Sequence, residues 1–263
     1  MRAKVILDAA DIVGESIVYD DRRDALLWVD IGGKRIHLLF LNDHRHELWP
    51  TPDFPTSIGL RADGGAIVGL RDRVSLWDYG DEFRTLVVVE PDLPDNRLNE
   101  GRVGPDGAFW VGTMQNNLQP DGSPKEMTRD SGALYRVEPD GEVIQLTPRE
   151  FGIANTMAWT ADGRFLTADT ARNMIYAYDL VGGALKNKHA LAAKVDRGVP
   201  TALASILTDV FGTVASAAGH ASPAFGRTAV WSGWSTCLAA GRQVARSGVP
   251  ALQRYSSRQR ASR

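Results

Sequence analysis

The sequence contains very little cysteine and no long apolar stretch. Only one of its 263 residues, Cys237, is a cysteine, which excludes an intrachain disulfide and a zinc site built from several cysteines. No stretch approaches the roughly 18 consecutive apolar residues that a membrane-spanning helix needs. The apolar residues 5–7 are followed by Asp8 and soon by Asp11, so no signal peptide is apparent. We therefore expect a cytoplasmic protein.

The acidic and basic residues are unevenly distributed along the chain. The formal net charge is −2, but residues 1–200 carry 23 Lys and Arg against 31 Asp and Glu. Residues 201–263 carry seven Arg, no Lys and a single acid, Asp209. Such a basic tail is typical of nucleic-acid or membrane contacts. This one lacks interleaved aromatic residues and ordered basic spacing, so we expect neither partner.

Helical periodicity is hard to find in the first 180 residues, which instead repeat one unit. In this unit a polar turn with Asp or Gly precedes a short apolar strand, and a second turn and strand follow. The leading strands are centred near Trp28, Ile67, Trp110 and Leu166, which are 39, 43 and 56 residues apart. Short strands in a repeat of roughly 40–50 residues predict an all-β β-propeller with one four-stranded blade per repeat. A β-sandwich is the structural alternative, although it would not need the recurring Asp-Gly unit.

A propeller binds its ligand at the mouth of the central channel, where loops that lead into the inner strands converge. Three such loops carry polar residues that do not look like fillers, namely Val13–Ser16, Arg97–Asn99 and Ile153–Thr156. Arg97 and Asn99 are two positions apart on an extended segment, so their side chains point the same way. Together they offer a charged fork and an amide to one polar ligand.

Several motifs resemble one known family. They are the three loops above, R-L-N-E-G from Arg97, W-V-G-T-M at residues 110–114 and G-A-L-Y at residues 132–135. They resemble the regucalcin, gluconolactonase and luciferin-regenerating-enzyme family, and the likeness covers residues 1–200. The resemblance implies a six-bladed propeller that holds one divalent metal ion in its channel. It also implies a sugar-lactone substrate, which the enzyme hydrolyses to the aldonic acid.

The resemblance further implies roles for individual residues. Glu15 and Asn155 match two of three metal ligands, Arg97 and Asn99 match residues that hold the substrate, and Asn117 matches a loop position that faces it. Carboxylate and amide oxygens suit Ca²⁺, Mg²⁺ or Mn²⁺, with Zn²⁺ as a further option. Such an ion polarises a carbonyl and activates water, so no nucleophilic Ser or Cys is required. The alternative function is a non-catalytic, metal-binding regulatory propeller, because the same ligands would serve it.

The five histidines contribute no recognisable metal motif. None belongs to an H-E-x-x-H pattern, although His44 and His46 form an H-x-H pair. On a strand, such a pair can present both rings to one metal ion. These two lie in a polar stretch without an obvious third ligand. We interpret them as a solvated surface pair and assign the histidines no role.

The blade pattern ends abruptly after Pro200. The resemblance implies a third metal ligand there, an Asp that also serves as the general base, but Thr201 occupies its position, so the catalytic residue stays unknown. Of residues 201–263, 22 are Ala or Ser, and the Asp-Gly turns stop. The genetic code allows a set of codons for this segment that encodes a different sequence when it is read one base out of frame. That alternative sequence begins with the missing Asp-Gly.

We therefore predict two parts of the chain: propeller blades in residues 1–200 and an out-of-frame, non-native segment in residues 201–263. About four blades are recognisable, and the C-terminal blades are expected to be lost. Loss of one anionic ligand is expected to weaken metal binding, because ligand charge sets affinity. We also expect impaired lactonase activity and poor solubility.

Overall fold

The computed structural model describes residues 5–193. In this part of the chain it contains sixteen β-strands and no helix, which confirms the all-β prediction. None of the described residues belongs to a helix that is long and apolar enough to cross a membrane. The predicted non-native segment, residues 201–263, lies outside the described residues and stays a prediction.

The strands form four antiparallel sheets of four strands, and strands that are consecutive in the chain are neighbours in the sheet. The first blade comprises β1 (Gly14–Asp20), β2 (Ala25–Asp30), β3 (Arg35–Phe40) and β4 (His46–Pro50). The second comprises β5 (Ser57–Leu60), β6 (Ala66–Gly69), β7 (Arg73–Trp77) and β8 (Phe83–Val88). The third comprises β9 (Asn96–Val103), β10 (Phe109–Gln115), β11 (Leu134–Val137) and β12 (Val143–Gln145). The fourth comprises β13 (Ala154–Trp159), β14 (Arg164–Asp169), β15 (Met174–Val181) and β16 (Ala184–Ala193).

The first strand of each blade lies on the inside of the propeller. Strand β1 contacts β5, β5 contacts β9, and β9 contacts β13, so the four blades stand side by side in chain order. This is the β-propeller arrangement, with one blade for each repeat of the sequence. The apolar centres of the repeats, such as Trp28 and Trp110, lie on the second strand of each blade. Because the first strands are inside, the polar residues near their starts share one end of the propeller.

The hydrophobic core lies between adjacent blades. Leu27 and Val29 of β2 pack in one cluster with Ile58 and Val68 of the second blade. Between the third and fourth blades the ring of Trp110 lies 5.0 Å from that of Phe165, measured between centroids. Burying one such side chain stabilises the fold by about 1.5–3 kcal/mol. The apolar faces by which successive blades meet are therefore covered by each other.

The backbone conformation explains why the turns contain Asp-Gly. Gly107 and Gly163, which follow Asp106 and Asp162, have φ angles of 81° and 84°. In this left-handed region a residue with a Cβ is strained, whereas glycine is not. Asp accepts a hydrogen bond two residues ahead, as the 3.2 Å contact from the Ala108 N–H to the Asp106 carboxylate shows. The repeated dipeptide thus marks the turn between the first and second strands of a blade.

Candidate site at the channel mouth

Contrary to the sequence prediction, Glu15, Arg97 and Asn155 lie inside strands rather than in loops. Glu15 pairs with Val29 in the β1–β2 ladder, and Arg97 pairs with Met114 in the β9–β10 ladder. The apolar strand around Trp110, which follows this motif in the sequence, is β10, the second strand of that blade. The motif is therefore itself the inner strand, which turn and propensity signals do not reveal.

A β-bulge near the start of β1, β9 and β13 explains how these strands stay paired. The register shifts after Glu15, between Leu98 and Gly101, and after Asn155, and each time the inner strand has one extra residue. The residues that follow the two predicted metal ligands, Ser16 and Thr156, have φ angles of 55° and 59°. Such conformations are uncommon for a residue with a Cβ, and bulges re-aim side chains next to functional sites. Strand β5 pairs with β6 in a regular register, so a bulge between the first two strands occurs only in the three described blades that carry the predicted site residues.

Two buried aspartates hold the segments that lead into β1 and β13. Asp30, at the end of β2, accepts hydrogen bonds from the backbone N–H groups of residues 12–13 at 3.1 and 2.9 Å. Asp169, at the end of β14, does the same for residues 152–153 at 3.0 and 3.1 Å. Because the two aspartates occupy equivalent positions, the first and fourth blades present their inner strands in the same way.

Arg97, Asn99 and Asn117, the residues predicted to hold the substrate, form one hydrogen-bonded network. Arg97 is 6% exposed, and its Nε and Nη2 donate to Asn117 Oδ1 at 3.1 and 2.9 Å. Its Nη1 donates to Asn99 Oδ1 and to the Leu98 carbonyl, both at 2.8 Å. Asn99 in turn donates from Nδ2 to the Ala154 carbonyl at 2.9 Å, which links β9 to β13. Burial lowers the pKa of Arg97 to about 10, and the nearby Glu15 opposes the shift.

Glu15 and Asn155 are the two residues that were predicted to bind a divalent cation through their side-chain oxygens. Among the described residues the Glu15 carboxylate has no hydrogen bond or ion-pair partner within contact distance. Burial raises its pKa, while Arg97 lowers it. Asn155 is 9% exposed, and its Oδ1 accepts a single hydrogen bond, from the Thr156 N–H at 2.9 Å. A half-buried carboxylate and an amide oxygen with a free lone pair are suitable ligands for a hard cation.

Glu100 is a further ionisable group at this mouth to which the sequence reasoning gives no role. It lies in the β9 bulge beside Asn99, and burial raises the pKa of its carboxyl group to about 8, with the negative charge of Glu15 adding to the shift. Burial also lowers the pKa of Arg102, and Glu100 opposes that change. The sequence shows Glu100 as the acid of R-L-N-E-G, but it does not show that this residue, in the β9 bulge, lies near Glu15.

The histidine interpretation is wrong for His46. His44 is exposed and has a φ angle of 60°, whereas His46 is half-buried and its Nε2 lies 2.9 Å from His37 Nδ1. Both rings stack on Trp28, with centroids 4.6 Å away for His37 and 5.8 Å away for His46. His37 is fully buried and its Nε2 lies 3.0 Å from Asp11 Oδ1. The sequence could not show this, because the four residues lie on three strands and the N-terminal segment.

Asp11, Asp30 and His37 are close enough to be considered as a metal site. Arg35, however, already supplies positive charge there, since its Nη2 lies 2.9 Å from Asp30 Oδ2 and 3.6 Å from Asp11 Oδ1. Asp30 also accepts the backbone hydrogen bonds described above. We therefore interpret this group as a structural ion-pair cluster of the first blade.

A cavity of about 210 Å³ opens beside Arg97 between the second and third blades. Its lining includes Arg71, Glu90, Leu93 and Asn96. These residues come from the segment that leads into β9 and from the β6–β7 turn, at the end of the blades where the predicted ligands lie. Thr201, at the position of the expected third ligand, lies outside the described residues.

Comparison with known proteins agrees with this fold. The SMP-30/Gluconolactonase/LRE-like region matches residues 13–222. The chain is 28% identical over 193 residues to regucalcin of Xenopus laevis, covering 72% of this chain and 63% of that protein. It is 29% identical over 199 residues to the L-arabinolactonase of Azospirillum brasilense, covering 74% and 64%.

Solved structures show the same fold. The calcium-binding protein regucalcin of Agrobacterium tumefaciens has a TM-score of 0.63 at 24% identity, covering 72% of this chain and 62% of that one. A luciferin-regenerating enzyme also has a TM-score of 0.63, at 23% identity, covering 70% and 61%. The chain thus spans about three fifths to two thirds of the length of these relatives. Since the family match covers most of the sequence, the chain belongs to the SMP-30/Gluconolactonase/LRE-like family.

Proposed function

We propose that this chain is a metal-dependent hydrolase of a sugar lactone, with activity that is impaired relative to complete family members. The observation that carries the proposal is the hydrogen-bonded network of Arg97, Asn99 and Asn117 beside the Glu15 carboxylate. A guanidinium and two amides suit a polyhydroxylated ring, because they offer several directed donors and acceptors. The relative from Azospirillum brasilense is named an L-arabinolactonase, and one from Pseudomonas putida a 6-deoxy-6-sulfogluconolactonase.

In this proposal some residues of the site would bind the substrate, and others would hold the metal ion that stabilises developing charge. Contacts to the described residues use four of the five Arg97 N–H donors, which leaves one Nη2–H for a substrate hydroxyl or carbonyl oxygen. Asn99 and Asn117 hold the guanidinium in place, so little reorganisation is needed when the substrate binds. A divalent ion on Glu15 and Asn155 would polarise the lactone carbonyl and activate water. Ca²⁺, Mg²⁺, Mn²⁺ and Zn²⁺ are the candidates.

The impairment follows from the ligand set. With Thr201 at the position of the expected aspartate, Glu15 would be the one anionic ligand from that set of three. Fewer anionic ligands give weaker binding of a hard cation. The expected general base would be missing as well, which lowers the rate of water attack.

A second candidate is a metal-binding regulatory propeller without catalysis. Relatives named regucalcin, one of them described as calcium-binding, favour it. The same Glu15 and Asn155 would serve both functions. Metal binding without lactone hydrolysis would decide for this alternative.

The test combines metal titration with a hydrolysis assay. Release of acid from D-glucono-1,5-lactone is followed with a pH indicator in the presence of each candidate ion, and metal affinity is measured by calorimetry. The substitution Glu15→Gln is expected to weaken binding of the preferred ion at least about tenfold and to lower hydrolysis in parallel. The exposed Glu142 of the third blade provides the matched control, Glu142→Gln. Equal metal affinity in both variants would contradict the proposal.

A further inference from the structure

The loop of residues 116–131, which carries Asn117, is closed by the side chain that precedes it. Gln115, the last residue of β10, is 3% exposed. Its Oε1 accepts hydrogen bonds from the backbone N–H groups of Thr128 and Arg129 at 2.7 and 3.0 Å. The chain thus leaves the sheet at Gln115 and returns to the same side chain thirteen residues later.

The other half of the Gln115 amide holds a charged group that reinforces this closure. Nε2 donates to Asp95 Oδ2 at 3.0 Å. The same aspartate forms ion pairs with Lys125 at 2.7 Å and with Arg129 at 3.1 Å, and these pairs lower its pKa together with the Gln115 hydrogen bond. Because the ion pairs are partly exposed, they contribute less than their geometry suggests. The buried amide of Gln115 is therefore the main link between the two ends of the loop.

The closed loop fixes the position of Asn117. The backbone carbonyl of Asn117 accepts a hydrogen bond from the Lys125 N–H at 2.7 Å, and its side chain accepts the two hydrogen bonds from Arg97. Asn117 thus joins the loop to the guanidinium. If the loop opened, Arg97 would lose the partner that engages its Nε and one Nη2–H.

We propose that Gln115 is a positioning residue, which closes the loop of residues 116–131 and thereby holds Asn117 against Arg97 in the orientation that receives the substrate. The inference rests on the proposed function in that the substrate is a sugar lactone. The structural part of it, from Gln115 through Asn117 to Arg97, concerns this chain whether or not it is a lactonase.

Two readouts on the full chain test the proposal. The first is the Arg97 Nε–H signal in protein labelled with ¹⁵N-arginine, assigned by its loss in Arg97→Lys. In Gln115→Ala this signal is expected to shift or to exchange with water faster. The second is the kinetics of D-glucono-1,5-lactone hydrolysis, where KM is expected to rise roughly tenfold while kcat changes little, since a binding orientation is lost.

Controls separate positioning from a loss of folding. Gln145→Ala makes the same change on the exposed outer strand of the same blade and is expected to behave like the unmodified chain in both readouts. Gln115→Glu keeps an oxygen for the N–H groups of Thr128 and Arg129 but places a carboxylate against Asp95, where Nε2 donated a hydrogen bond, so it is expected to raise KM as Gln115→Ala does.

Each outcome decides the proposal. An Arg97 signal that is unchanged in Gln115→Ala overturns it, and so does a changed signal with an unchanged KM. If the unmodified chain hydrolyses no lactone, the proposed function fails, and the Arg97 signal alone then decides whether Gln115 positions the guanidinium.

Discussion

Asp169→Ala is expected to be among the most destabilising single changes in the fourth blade. The carboxylate is fully buried and accepts backbone hydrogen bonds from Gly152, Ile153 and Ala171 at 3.0, 3.1 and 3.1 Å. It also forms an ion pair with Arg172. Alanine removes all these contacts at once and leaves the buried N–H groups without partners.

The magnitude follows from these contacts. A hydrogen bond to a charged group contributes about 1.5–3 kcal/mol, so three of them contribute roughly 5–9 kcal/mol before relaxation. Water that enters the space left by the carboxylate recovers part of this. Removing one partner of a buried charged network typically costs about 3–5 kcal/mol, and we expect a loss in that range. Since residues 152–153 lead into the strand that carries Asn155, metal affinity is expected to fall as well.

Urea denaturation followed by tryptophan fluorescence measures this effect. The free energy of unfolding is taken by linear extrapolation, with the slope compared between variants to confirm that the same surface unfolds. Asp162→Ala is the matched control, because Asp162 lies in an exposed turn of the same blade, and it is expected to change stability far less. A loss of less than about 1 kcal/mol for Asp169→Ala, or equal losses for both variants, would refute the reasoning.

Three further predictions concern the mouth and the approach of the blades. Arg97→Lys is expected to lower kcat/KM for a sugar lactone by roughly 10- to 100-fold, because an ammonium cannot reproduce the forked contacts of the guanidinium. Steady-state kinetics measures this, and an unchanged kcat/KM would exclude a role of Arg97 in holding the substrate. Gly112→Ala is expected to lower the melting temperature, since a Cβ there would lie 2.7 Å from the Ala154 Cβ, whereas Gly80→Ala meets nothing within 4 Å and should be neutral. Burial raises the pKa of Glu100 from 4.5 to about 8, so its contribution to stability is full below pH 4.5 and is lost as the pH rises through 8. Glu100→Gln should therefore become more stable relative to the unmodified chain between pH 5 and 9, and parallel stability curves from urea denaturation over that range would contradict this.

The blades were predictable from the sequence because their signals are local. An Asp-Gly turn needs a left-handed residue at one position, and the alternation of apolar residues along one strand needs no distant partner. The strands around Trp28, Ile67, Trp110 and Leu166 are therefore confirmed, each as the second strand of a blade. The pairing of Arg97 with Asn99 was predictable for the same reason, since two residues on one extended segment share a face.

The positions of the site residues within their strands were not predictable. Glu15, Arg97 and Asn155 were expected in loops, because polar residues next to Gly or Asn are typical of turns. In the structure they lie in paired strands, close to β-bulges that each add one residue to the inner strand. A bulge is a property of two strands, because it depends on which residue opposes which, and one strand read alone does not contain it.

By itself, the sequence determined the all-β class, the repeat of about 40–50 residues and the family, since turns, alternation and motifs are properties of short segments. Only the tertiary structure decided that Glu100 lies close enough to Glu15 for the charge of Glu15 to raise its pKa. It also decided that Gln115 closes the loop that carries Asn117, and that His37 contacts His46. These contacts form only when neighbouring strands and blades pack and bury the residues against each other. Burial then raises the pKa of Glu100 and lowers that of Arg97.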